Sequence, residues 1–258
     1  MHLRALPFHR AATAALLLLL AAAGGAHAAT YMKQLSTTGA FEIMGQKQPA
    51  ESDTTVIWLS AQAAYMETGK GVATILRADQ DKIYFVKPAE RVYAEMPLSS
   101  LGDIGAMMGA EGDDAAGADQ MAAIAGAMLG SVKVDVRPTG ASKRIRDWNA
   151  SQYMVDMSIA GMTSKAEIWA STDLKADYGL FFKLTNALQG QMPGFEKVTQ
   201  EMQKVQGIPV LSITDAQVMG TSVKSTTELL ECAERAAPSG IFEVPAGYAK
   251  KSFAEFSR

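Results

Sequence analysis

In the run VKVDVRP, Val132, Val134 and Val136 alternate with Lys133, Asp135 and Arg137, and this alternation constrains the chain more than any other feature. A period of two sets the valines on one side of a strand and the charges on the other, which predicts a strand with one wet face. Tyr153, Val155, Met157 and Ile159 repeat the pattern, as do Ala166, Ile168 and Ala170. Upstream, residues 53–60 (DTTVIWLS), 71–78 (GVATILRA), 82–87 (KIYFVK) and 91–96 (RVYAEM) are short runs rich in β-branched and aromatic residues. Turn signals separate them, such as Thr68-Gly69-Lys70-Gly71 and Ala78-Asp79-Gln80-Asp81. Residues 208–218 and 221–230 add two more strand-like runs. Spacing this close leaves no room for helical crossovers, so an antiparallel meander is expected rather than a parallel sheet.

Residues 173–206 change period. Tyr178, Phe181, Leu184 and Leu188 line one side of a first expected helix that begins near Asp173. QGQMPG at 189–194 breaks it, and Phe195, Val198, Met202 and Val205 then mark an amphipathic second helix. The whole predicts a mainly β (α+β) chain: one curved antiparallel sheet with helices packed on one face.

The first 28 residues read as an export signal. Arg4 and Arg10 precede the apolar run at 11–23, and Ala26-His27-Ala28 is a small-x-small cleavage site, so a mature chain is expected to begin near Ala29. His2, His9 and His27, the chain's three histidines, would leave with it. A mature chain without histidine has no Ser-His-Asp or Cys-His mechanism and no histidine-ligated metal. Cys232 is the single cysteine, which rules out an internal disulfide. Cleavage would move the net charge from −3 to −5, because two arginines and no acids are lost. That balance, with no basic stripe, argues against a nucleic-acid partner.

A further pattern covers most of the mature chain. Thr139-Gly140 leads through a basic strand at 143–148 to Tyr153-Met154-Val155, then to a strand ending Trp169-Ala170-Ser171. IYFVKPAERVYAEM at 83–96 and the ending Phe242-Glu243-Val244-Pro245-Ala246-Gly247-Tyr248 belong to the same pattern. In these elements the chain resembles the domain-of-unknown-function 4412 family, which is similar in fold to the Lol lipoprotein carriers. The resemblance implies an open half-barrel, residues 29–258 forming one domain, whose concave face is apolar and covered by helices. In the carrier relatives that cavity holds acyl chains. The chain departs from the family in lacking a cysteine near the Trp148-Asn149-Ala150 corner, and its methionine-rich insertion is long.

That insertion, at about 97–130, holds Met107, Met108, Met121 and Met128. Seven glycines between 101 and 130 disfavour an isolated helix by about 1 kcal/mol each relative to alanine. Met121, Ile124, Met128 and Leu129 nevertheless share one side, and adaptable thioether chains suit an irregular apolar partner. The insertion is therefore read as a core plug, a lid over the concave face, or a linker. Trp58, Phe85, Met107, Met108, Met121, Met128, Met157, Trp169 and Phe181 are the candidate lining of a ligand cavity, the two tryptophans equally readable as sheet-face packing. A Cu(I) site would need three or four methionines to converge, and only Met107-Met108 are adjacent, while the acids at 111–119 miss the spacing of a calcium loop. No metal and no cofactor is expected.

The resulting expectation is a non-enzymatic, exported, periplasmic protein that binds a lipid or lipoprotein acyl chain or another hydrophobic ligand, as carrier or sensor. The alternative is a structural or interaction protein of the cell envelope with a permanently filled core and an envelope protein as partner. A carboxylate enzyme would need a converging pair among Asp156, Glu167 and Asp173.

Overall fold

The period-two runs fold as strands, and turn residues set their limits. Asp81, Arg91 and Arg146 hold φ between 50° and 54°, each at the corner of a tight connection. The computed structural model describes residues 28–43, 45–98, 100, 132–159, 162–174, 195–218 and 220–256, apart from the side chains of 159, 162, 195, 196 and 254.

In chain order the strands are β1 (Ala28–Thr38), β2 (Phe41–Ile43), β3 (Gln46–Gln48), β4 (Glu51–Leu59), β5 (Ala63–Thr68), β6 (Ala73–Arg77), β7 (Lys82–Lys87) and β8 (Val92–Pro97). They continue as β9 (Lys133–Ile145), β10 (Trp148–Ile159), β11 (Met162–Ser171), β12 (Ile208–Val218), β13 (Thr221–Ala236) and β14 (Ala249–Lys250). Helix α1 (Phe195–Met202) precedes β12, and the single-turn α2 (Phe253–Phe256) follows β14.

Twelve strands form one sheet in the order β14-β8-β7-β6-β5-β4-β1-β13-β12-β11-β10-β9, and β2 with β3 makes a separate hairpin. Every pairing is antiparallel except the short β14–β8 contact. Two meanders, β4–β8 and β9–β13, are thus joined side by side through β1. β8 and β9 follow one another among the described strands yet lie near opposite ends of the sheet. The sheet does not close into a barrel.

Register separates two faces. Leu59, Ala64, Leu76, Ile83 and Met96 form one row across β4–β8, and Ile57, Met66, Thr74, Phe85 and Ala94 form the next row of the same parity. This first face continues through Met32 and Ser36 of β1 to Thr227, Ser212, Ile168 and Tyr153. Trp58, Tyr65, Ile75, Tyr84 and Glu95 lie on the second face. There they are followed in the other meander by Arg137, Met154, Glu167 and Ile213.

The expected helical cover is corrected. Among the described residues only two short α-helices are seen, each packed at one end of the first face, besides one 3-10 turn at Ala78–Gln80. Met202 and Val205, at and after the end of α1, pack on Val136, Tyr153, Val155 and Ile168. Phe253 of α2 packs against Ile83, Met96 and Phe85, with Phe85 and Phe253 ring centres 5.6 Å apart. The helix expected from Asp173 falls on residues 175–194, outside the described residues, as does most of the methionine-rich insertion. The physical reason for the difference is that short turns and long strands commit most of the described chain to one sheet. Glycine is required where α1 meets β12: Gly207 has φ 90°, and a Cβ there would lie 2.3 Å from the Ser171 carbonyl oxygen.

Candidate functional site

The first face is the candidate binding surface. Its apolar part runs from Leu76 on β6 through Ile57 and Met32 to Leu229 and Val210, members of a buried cluster that also takes in Trp169 and Ile208 at the bulge between β11 and β12. Parity places the residues from Leu76 to Val210 together: each is flanked in sequence by residues of the opposite face. Nearer β2 and β3 the same face turns polar. There Ser36, Thr227 and Ser212 form one row, and Thr38, Ser225 and Thr214 the next. The Ser36 and Thr227 hydroxyls lie 3.1 Å apart in a mutual hydrogen bond. The surface thus offers an apolar band beside a hydroxyl strip whose two rows end at Asp53 and Glu51 of β4.

The sequence-derived candidates distribute over both faces. Phe85 and Met157 lie on the first face, Phe85 beside α2 and Met157 in the row Val134, Met157, Ser164, Ala216. A cleft of about 300 Å³ at that end of β9–β11 is lined by Val134, Met157 and Ser164 among others. Trp58 and Trp169 lie on the second face. Trp58 is buried against Tyr31, ring centres 4.9 Å apart. Trp169 donates its Nε1–H to Glu167, and Lys143 Nζ sits 3.9 Å above its ring. Met107, Met108, Met121, Met128 and Phe181 lie outside the described residues. Sequence reasoning did not single out Met32, Leu76, Val210 and Leu229. Their alternation was readable, but which strands share a face depends on register and on bulges at Lys33/Gln34 and Trp169/Ala170.

The acids considered for catalysis are engaged separately. Asp156 pairs with Arg137, Glu167 takes the indole proton of Trp169, and Asp173 Oδ2 accepts from the Asn149 backbone N–H at 2.8 Å. Cys232 is half-buried beside Met32, and burial pushes its thiol up from the ordinary range, which disfavours a reactive thiolate. Among the described residues no group of three or more His, Cys, Asp and Glu is placed to hold a metal. Among the same residues no helix is long and apolar enough to cross a membrane.

The open end of the sheet is guarded. β9 pairs with β10 alone, and the Val136 N–H donates to Glu201 Oε2 of α1 at 3.1 Å. Beyond it, residues 137–144 are exposed on both faces, and residues 139–141 bulge opposite Gln152. Pro138 removes a donor from this edge, and Lys143 and Arg144 add charge, the devices that blunt an open strand.

No curated protein matches the chain. The model of a family described as Domain of unknown function (DUF4412) matches residues 123–248, which take in β9–β13 and end at Tyr248. Over these residues, just under half of the chain, the sequence matches the DUF4412 family.

Proposed function

We propose that the protein is exported to the periplasm, is not an enzyme, and binds a lipid acyl chain or another long apolar molecule as a carrier or sensor. In this reading the open sheet curves into a half-barrel with the first face inside. The observation that carries it is the apolar band from Leu76 to Val210, which crosses the middle of an unclosed sheet while the described α-helices stand only at its ends. Each methylene removed from water there contributes about 0.8 kcal/mol, so a long chain gains affinity from area alone. The adjoining hydroxyl strip suits the polar end of such a molecule. Separate engagement of Asp156, Glu167 and Asp173 supports a non-catalytic role.

Uptake of the fluorescent probe N-phenyl-1-naphthylamine by the mature protein tests this. Saturable uptake, displaced by palmitate and weakened by Met66→Glu, is expected, because Met66 is 38% exposed on the first face and tolerates a charge there. Absence of saturable uptake would sink the proposal.

A second reading, an envelope interaction protein with a filled core, is favoured by the tight burial of Ile83 and Val210, both 0% exposed. Described clefts of about 200 and 320 Å³ are also at or below the lower end of ligand-pocket size. Crosslinking in intact cells that returned one dominant protein partner, with no bound lipid, would select it.

A further inference from the structure

A cleft of about 260 Å³ lies on the second face, between β6–β8 and residues 242–244. We propose that it is a binding site for one uncharged sugar ring, independent of the apolar surface on the opposite face.

On its floor, Tyr84 and Tyr93 stand side by side with ring centres 6.2 Å apart and planes at 55°, Lys82 Nζ lies 5.9 Å from the Tyr84 ring centre, and the accessible lining of the cleft is mostly polar. Its rim is polar and held in place. Arg77 is clamped by Asp79 and also donates to the Phe242 carbonyl at 3.4 Å, which fastens the returning chain over the floor. Gln80 closes one side, its Oε1 accepting the Tyr84 hydroxyl at 3.4 Å, and its amide N–H₂ is a donor. Glu95 and Glu243 supply carboxylate acceptors. The two lysine contacts to Glu95 both use Oε1, Lys250 at 2.8 Å and Lys82 at 3.6 Å.

Charge decides the ligand class. Arg77, Lys82 and Lys250 around the cleft are balanced by Asp79, Glu95 and Glu243. With no net field, the cleft has nothing to draw an anion, and its lysines disfavour a quaternary ammonium that two tyrosines would otherwise suit. Donors and acceptors in equal supply in a mostly polar cleft fit a neutral polyhydroxylated ring. The volume fits one ring rather than a drug-sized molecule.

The test is a titration of the mature protein with methyl β-D-glucopyranoside, followed by amide chemical shifts, with choline chloride and sodium phosphate run beside it. Saturable shifts at Tyr84, Tyr93 and Val244 are expected, with a Kd on the order of 1 mM. Gln80→Ala and Glu243→Gln alter exposed side chains and leave the fold intact; each is expected to weaken binding about fivefold, the loss of one hydrogen bond. No saturable shifts, tighter binding of choline or phosphate, or sugar binding that both variants leave unchanged would overturn the proposal.

Discussion

The two meanders are built from the same kind of strand but bury it differently. In β4–β8 both faces are covered: Ile57, Trp58 and Leu59 are buried in succession, as are Ile75 and Leu76. In β9–β12 the alternation survives away from the end of β11, where Ile168, Trp169, Ala170 and Ser171 are buried in succession. Tyr153, Val155 and Ile168 are buried on the first face, while Asp135, Asp156, Lys165, Asp215 and Lys224 cross the second face as one row of charges. The difference comes from the end of the chain. Residues 242–248 leave β13 and cross the second face of β6–β8, where Tyr248 packs against the cluster of Ala73, Ile75 and Val86. The chain then adds β14 to the β8 edge and sets α2 on the first face, where Phe256 accepts from Lys87 Nζ at 2.6 Å. Burial of a sheet face is thus decided by what crosses it, and the strand's own sequence records the outcome.

The sharpest test compares one residue type on one face in the two regions. Ile75 is 1% exposed and Ile213 is 40% exposed, both on the second face. Ile75→Ala is expected to cost about 3 kcal/mol in denaturant unfolding, and Ile213→Ala under about 0.5 kcal/mol. Equal costs would break the comparison. Next in size, Tyr248→Ala is expected to lose about 2 kcal/mol by uncovering the β6–β8 side. Combined with Ile75→Ala it is expected to be non-additive by about 1 kcal/mol, whereas with Ile213→Ala the effects add.

The open β9 edge gives a third test. Pro138→Val with Lys143→Val restores a donor and removes charge, so light scattering during refolding is expected to rise with little change in folding stability.

The smallest effect is electrostatic. Lys250, hydrogen-bonded to Glu95, holds that carboxyl below the usual carboxylate range, with Lys82 adding to the shift. A depressed folded-state pKa stabilises the protein above the unfolded value, and that contribution fades as pH falls through the folded value. Lys250→Met is therefore expected to flatten the acid limb of the stability profile only slightly, because the pair is largely exposed and screened by solvent. An unchanged limb would show that Glu95 is not linked to folding.

Much of the sheet was legible in the chain. The turn at Thr68-Gly69-Lys70-Gly71 joins β5 to β6, and the runs at 53–60 and 82–87 became β4 and β7 with boundaries shifted by at most two residues. β5 was not picked out, because Ala63-Ala64-Tyr65 has neither β-branched residues nor clear alternation. The insertion of β1 between β13 and β4 was not legible either, since no local pattern encodes pairing across some 190 residues of chain. The same limit applies to the candidate site. Trp58 and Phe85 are both large and apolar in strands, yet register puts them on opposite faces. Sequence composition selected residues able to line a cavity, and only pairing shows which of them share a side.

The central claim is that the first face accepts a long apolar molecule. Native mass spectrometry of the protein, recovered without detergent from its own cells, tests it most directly. The account predicts a discrete added mass that solvent extraction releases as a lipid. A clean unliganded mass that stays unliganded after incubation with lipid would contradict it.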